Sequence, residues 1–78
     1  MNKPKIIFEE KSRSISLTYH INDRKEDMLI GTNILSIAQK NKLHFSTYED
    51  DYSTRCFILK GSNIEQLEEI SQQLEKLM

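Results

Sequence analysis

The chain has few of the residues that cross-link, break or interrupt a small protein. Its 78 residues include one cysteine, two glycines, one proline and no tryptophan. A single cysteine excludes an internal disulfide, and so little glycine and proline excludes a collagen-like, linker-like or low-complexity chain. The length excludes two domains, so we expect one compact domain over residues 1–78.

Long apolar runs and an excess of one charge are also missing. No apolar run reaches the roughly 18 residues that span a bilayer. The segment 1–5 leads into a strand-like pattern and not into the apolar region of a signal peptide. We therefore expect a soluble, cytoplasmic protein with no membrane partner. Eleven basic and twelve acidic residues give a net charge of −1, which supplies no field for a nucleic acid.

Four strand-like segments are present. Residues 5–10 are β-prone, and a short polar break separates them from residues 14–21, so the two predict a hairpin. Apolar and polar side chains alternate strictly over 14–21, which is typical of a strand with one buried face. Residues 43–48 predict a third strand. Residues 54–60 predict a central strand with both faces covered, because 56–59 is continuously apolar.

Two helices are also predicted. Apolar residues follow helical spacing between Ile30 and Asn41. Since glycine costs about 1 kcal/mol inside a helix relative to alanine, Gly31 favours a helix start at Thr32 or Asn33, acting as N-cap. Residues 62–65 have the capping-box form and predict the start of a second helix. The apolar stripe of that helix fits either a sheet-covering surface or two heptads of a coiled coil.

The element order is therefore ββαββα. Right-handed crossovers place both helices on one face of the sheet, and local pairing of the two hairpins gives the strand order 1-2-4-3. The predicted fold is an α+β two-layer sandwich with a four-stranded antiparallel sheet. It is ferredoxin-like but permuted, with the usual last strand moved to the front. Folds of this type have many functions, so the architecture alone predicts no biochemistry.

The two histidines and the cysteine are the one candidate metal set. If Phe57 and Leu59 face the helices, Cys56 shares the outer face of the sheet with His20 and His44, and nitrogen and sulfur ligands suit zinc. Three residues from three strands without short ligand spacing are better explained as ordinary surface side chains. A structural zinc also takes four ligands, so we predict no metal and no cofactor.

The acidic segments are predicted to be solvated. The run 49–51 lacks the spacing of a calcium loop and predicts a turn. The charges of 22–27, which predict a loop or a frayed helical turn, are expected to neutralise one another in solvent. Tyr48 is the only aromatic residue on the predicted open face of the sheet, which disfavours RNA binding. The polar groups show no paired geometry for catalysis, so an enzyme is the third hypothesis and we expect none.

Residues 15–77 resemble an ACT-type regulatory domain, the ferredoxin-like module that binds amino acids or other small effectors at subunit contacts. The segments that carry the resemblance are 15–20, Gly31 with Ile34, Leu35 and Ile37, 42–46, 55–61 and 67–70. Two features depart from the family pattern. Residues 27–31 lack the proline of the family's Asp-x-Pro-Gly-x-Leu segment, and residues 6–9 stand at the front in place of the last strand.

The resemblance implies a non-catalytic regulatory module that binds an amino-acid-like effector at a homodimer interface. The effector would lie between the loop 22–31 and a second subunit, where amides at a helix start near Gly31, Thr32 and Asn33 would hold a carboxylate. The simpler alternative is that Thr32 or Asn33 only caps the helix. A second hypothesis is a small adaptor or inhibitor, of the kind that mobile elements encode, which binds another protein.

Overall fold

The computed structural model describes residues 3–78. The strands are β1 (Lys5–Glu9), β2 (Ser14–His20), β3 (His44–Glu49) and β4 (Thr54–Lys60), and the helices are α1 (Arg24–Lys40) and α2 (Ile64–Leu77). Within this range, neither helix combines the length and the apolarity that a membrane span requires.

The sheet has the order β1-β2-β4-β3, and each neighbouring pair is antiparallel. This confirms the predicted α+β fold, its strand order and its ββαββα arrangement. Both helices pack on one face, because the inward side chains of alternate strand positions are apolar. The buried apolar residues of this core are Ile15, Leu17, Tyr19, Ile21, Ile30, Ile34, Ala38, Phe57, Leu59, Leu67, Ile70 and Leu74.

Helix α1 begins about two turns earlier than predicted. Asp23 is its N-cap, and the Asp23 carboxylate accepts a hydrogen bond from the Lys25 amide at 3.0 Å. The prediction of a start at Thr32 or Asn33 is wrong because it weighed a single glycine too heavily. Burial of the apolar face of α1 contributes about 1.5–3 kcal/mol per large side chain, which outweighs about 1 kcal/mol for Gly31.

The end of α1 is a Schellman motif with a lysine at the position that usually holds glycine. The amide of Leu43 donates to the carbonyl of Ala38 at 2.8 Å, and that of Lys42 donates to Gln39 at 3.2 Å. Lys42 has a φ of 57°, in the left-handed region. This motif turns the chain directly into β3.

Helix α2 starts where the capping pattern indicated, but with a different cap. The side chain of Asn63, and not that of Ser62, accepts from the amide of Gln66 at 3.1 Å. Leu67 and Leu74 are fully buried against the sheet. These leucines are engaged within the chain, so the sheet-covering interpretation of the stripe is confirmed and the coiled-coil alternative is wrong.

The central position of β4 is confirmed, but the helices cover only one of its two faces. Cys56 points to the open face and is still only 5% exposed. Its cross-strand neighbours are Thr18 on β2 and Tyr48 on β3, and their larger side chains shield the small thiol. The predicted covering of both faces therefore comes from helices on one face only, while side chains of the neighbouring strands shield Cys56 on the other.

Candidate functional site

Three side chains on neighbouring strands form a row beneath the first turn of α1. Tyr19 on β2 lies opposite Arg55 on β4, and Arg55 lies opposite Glu49 on β3. Residues that oppose one another across antiparallel strands point to the same face, which here is the helical face. Asp27, in the first turn of α1, reaches this row and is buried.

Asp27 is the centre of a hydrogen-bonded cluster. Arg55 donates from Nε to Oδ1 at 3.0 Å and from Nη2 to Oδ2 at 2.9 Å, which is a bidentate pair. The Tyr19 hydroxyl donates to the same Oδ1 at 2.5 Å. The side chains of Asp27 and Arg55 are 6% and 19% exposed. The cluster therefore ties the start of α1 to the two central strands, in a setting where the charges are largely removed from water.

The charges of this cluster fix one arrangement of protons. The hydrogen bond from the Arg55 guanidinium lowers the pKa of Asp27, although burial acts in the opposite direction. The hydrogen bond to Asp27 raises the pKa of Arg55. Burial, followed by the hydrogen bond to Asp27, raises the pKa of Tyr19. At neutral pH the cluster thus holds a carboxylate, a guanidinium and a neutral phenol, and no member is poised to exchange a proton.

A second ion pair lies on the rim of the cluster. Arg24 donates to both oxygens of Glu49, at 2.8 and 3.0 Å. The prediction of an acidic turn is wrong for Glu49, which ends β3 and accepts this exposed bidentate pair. It holds for the residues that follow, since the Asp50 carboxylate accepts from the amides of Tyr52 and Thr54 and closes an exposed turn.

A cleft of about 330 Å³ opens between α1 and β3, beside the cluster. We call it the α1–β3 cleft. One of its ends is polar: Arg55 Nη1 donates only a 3.3 Å hydrogen bond, to Thr47 Oγ1, so this nitrogen has a second N–H to offer. The rest of the cleft is mostly apolar. Its lining residues are Asp27, Met28, Gly31, Thr32, Leu35, Phe45, Thr47, Arg55 and Phe57.

The three predicted effector residues do not lie at a helix start. Gly31, Thr32 and Asn33 are about two turns inside α1, so their amides belong to the helix itself, and a carboxylate site made of free amides is wrong. Gly31 and Thr32 do line the α1–β3 cleft. Asn33 faces a different groove, between α1 and the end of α2.

The two histidines and the cysteine share the open face but do not converge. His20 lies opposite Thr54, two positions along β4 from Cys56, and His44 lies opposite Lys60, four positions away in the other direction. At about 3.4 Å per residue, His44 is on the order of 13 Å from Cys56 along the strands. Among residues 3–78, no group of three His, Cys, Asp or Glu side chains is placed to hold a metal.

Strand β3 is an edge strand whose outer side is unprotected. The amide of Asp50 donates to Thr54 on β4, and backbone groups alternate sides along an antiparallel strand. Phe45, Thr47 and Glu49 therefore direct their N–H and C=O groups away from β4. Residues 45–48 contain no charge and no proline, the usual protections of an edge. The opposite edge, β1, is charged only at its ends, Lys5 and Glu9, as β3 is at Glu49.

The buried cluster was missed from the sequence although a signal for it exists. Asp27 lies three residues before Ile30 and seven before Ile34, so it falls on the buried stripe of α1 once the helix is extended backwards. Arg55 is in phase with Phe57 on β4 and so had to point toward the helices. Two charges of opposite sign on facing apolar surfaces indicate a buried ion pair.

Comparison of the chain with protein-family models, with curated proteins and with solved structures finds no significant match. The resemblance to ACT-type domains is therefore neither supported nor contradicted by other proteins.

Proposed function

We propose that the protein is a non-catalytic, ACT-like regulatory module that forms a homodimer and binds a small effector at the dimer interface. The observation that carries this proposal is the position of the α1–β3 cleft directly beside the unprotected edge of β3. A second chain that added to this edge would extend the sheet next to the cleft. The cleft would then have walls from both subunits.

Exposed apolar side chains around the β3 edge support association. Met28 is 72% exposed and Leu35 is 38% exposed on the α1 side of the edge, and Tyr48 is 56% exposed on the open side. Large apolar side chains exposed on both sides of an edge strand favour burial by a second chain at that edge. Sedimentation velocity at micromolar concentration should therefore give a dimer, and a monomer over the whole concentration range would contradict this part of the proposal.

The chemistry of the cleft favours an amino acid with an apolar side chain. The second N–H of Arg55 Nη1 is suited to a carboxylate, while the Asp27 carboxylate in the cleft lining attracts an ammonium group. The Thr47 hydroxyl already donates to the Cys56 carbonyl at 2.9 Å, so it contributes no donor. The one arginine and the one carboxylate that line this end, Arg55 and Asp27, balance one another, which favours a zwitterion over an anion. The apolar walls, which include Met28, would contact the effector's side chain.

Two substitutions on the same helix test this site. Gly31→Met would extend a side chain into the α1–β3 cleft, and Asn33→Met would add the same side chain to the other groove. With leucine or phenylalanine at millimolar concentration, we expect Tm to rise for the wild type and for Asn33→Met but not for Gly31→Met. Equal shifts in all three proteins would place the ligand elsewhere, and no shift with any amino acid would contradict effector binding.

A non-catalytic, cytoplasmic role agrees with the remaining features. Every buried side-chain nitrogen and oxygen in residues 3–78 has a hydrogen-bond partner, so the cluster at Asp27 serves to position α1. Cys56 is a free, buried thiol, which suits a reducing compartment.

The alternative function is a small adaptor or inhibitor that binds another protein. The same β3 edge favours it, because an extended segment of a partner could add to the sheet there. Thr47→Pro removes an outward amide without touching the β3–β4 ladder, and Thr47→Val retains the amide while losing the hydroxyl. One stoichiometric partner that is captured from the native cell by the wild type and by Thr47→Val, but not by Thr47→Pro, would favour the adaptor over the homodimer.

A further inference from the structure

The backbone phase of β3 restricts how two copies can join. We infer that two chains pair their β3 strands antiparallel about a two-fold axis at Ser46, so that the two four-stranded sheets become one. This inference rests on the proposed homodimer and names the contact that forms it.

The side-chain alternation of the strand excludes half of the possible registers. Opposed residues of an antiparallel pair point to the same face, and the two sheets must keep their helices on the same side to continue one core. One residue of β3 must therefore lie opposite its own copy, with the two-fold axis between the two copies. We name each possible axis by that residue. The candidates are Phe45, Ser46 and Thr47, since an axis farther from the middle of the strand leaves most of it unpaired.

Of these three axes, Ser46 leaves the fewest unfavourable contacts. An axis at Phe45 pairs only three of the six residues of β3. An axis at Thr47 places the Glu49 carboxylate, which is already paired with Arg24, against Phe45 of the second copy. An axis at Ser46 pairs the five residues 44–48 and sets Phe45 against Thr47 of the second copy, with the outward backbone of both residues facing the partner.

The ends of this ladder are complementary in charge as well. Lys42 precedes β3 and Asp50 follows it, so with the axis at Ser46 a cation of each copy lies at the same end of the ladder as an anion of the other, twice by symmetry. Both side chains are exposed in the single chain. No residue of 44–48 meets a like charge, because the one ionisable cation of this stretch, His44, lies opposite Tyr48 of the second copy.

Cysteine cross-linking tests the axis directly. The Ser46 pair would be a non-hydrogen-bonded pair with a Cα separation of about 4.5 Å, within the range that a disulfide spans. We expect Ser46→Cys to form a covalent dimer under mild oxidation. Tyr48→Cys is the matched control on the same exposed face: its two copies would lie four positions apart, about 13 Å, and should not cross-link. The wild type controls for Cys56, which is buried.

Charged side chains introduced at Ser46 give a second test, in which the affinity of the dimer is measured without a covalent bond. Ser46→Lys and Ser46→Glu each place like charges opposite one another, which weakens association on the order of fivefold, and an equimolar mixture should recover or exceed the wild-type dimer. A wild-type dimer in which Ser46→Cys does not cross-link and the charge variants associate normally would overturn the Ser46 axis while the homodimer stands. A wild-type monomer would instead overturn the homodimer itself.

Discussion

Asp27 is the residue whose replacement should affect the fold most. Asp27→Asn leaves Arg55, which is only 19% exposed, without its ionic partner. Removal of one member of a buried pair costs about 3 kcal/mol, because the remaining charge stays desolvated. Urea denaturation should show this loss. Glu49→Gln is the matched control, since it breaks an exposed pair with Arg24 and should cost at most about 1 kcal/mol.

The pH dependence of stability should report the same pair. Since the hydrogen bond from Arg55 lowers the pKa of Asp27 in the folded state, the unfolded chain takes up a proton at higher pH than the folded chain does. The contribution of Asp27 is then complete above its unfolded pKa, about 3.9, and is lost as the pH falls through the folded value. The difference in unfolding free energy between wild type and Asp27→Asn should be constant from pH 5 to 7 and shrink below about pH 4. A difference in unfolding free energy that persists unchanged at pH 2 would contradict a stabilising ion pair between the Asp27 carboxylate and Arg55.

The Tyr19 hydroxyl is expected to contribute less than the arginine. Tyr19→Phe removes one hydrogen bond to a buried carboxylate that retains both bonds from Arg55. A hydrogen bond to a charged group contributes about 1.5–3 kcal/mol, so we expect a loss in that range by urea denaturation. Tyr52→Phe makes the same chemical change at a side chain that is 81% exposed. Equal effects at the two positions would show that the hydroxyl at Tyr19 has no special role.

At the scale of the element, the end of α1 contains a removable strain. Lys42 adopts a left-handed conformation that costs a non-glycine residue roughly 1–2 kcal/mol. Lys42→Gly should raise the unfolding free energy by about 1 kcal/mol, because glycine adopts this conformation freely even after its larger loss of entropy. Lys40→Gly makes the same substitution at the last residue of the helix, where the backbone is right-handed and glycine relieves no strain, so it should cost up to about 1 kcal/mol. Thermal unfolding of the two variants should therefore shift in opposite directions.

The elements differ in how well the sequence predicts them. The strands are close to their predicted bounds because the alternation over 14–21 and the apolar run at 56–59 are local signals. The start of α1 is not, because the local cost of Gly31 is overcome by the Asp23 cap and by burial against the sheet. Placing the helix start too late also left Asp27 in an apparent loop. The error in one element boundary therefore hid the central residue of the cluster.

At the scale of the whole molecule, the cleft and the edge depend on information that a local pattern does not contain. Gly31 and Thr32 line the cleft although the sequence placed them at a helix start, since the cleft arises from the packing of α1 over Phe45 and Phe57. Which edge of the sheet is unprotected follows only after the strand order and the backbone phase are known. Strand pairing joins residues that are distant in sequence. Sequence periodicity therefore predicts the fold but does not predict which residues form the site.

The assembly itself should appear in the concentration dependence of stability. If unfolding separates a dimer, mass action stabilises the folded state as the protein concentration rises, by about 1.4 kcal/mol for each tenfold increase. For two chains of 78 residues this corresponds to a Tm increase of about 4 °C per tenfold concentration. Ser46→Lys should lower Tm at a given concentration, because its dimer is weaker while the fold of each chain is unchanged. Calorimetry from 5 to 500 μM (roughly two tenfold steps) measures both effects, and a Tm that stays constant for the wild type over this range would contradict a dimer that dissociates on unfolding.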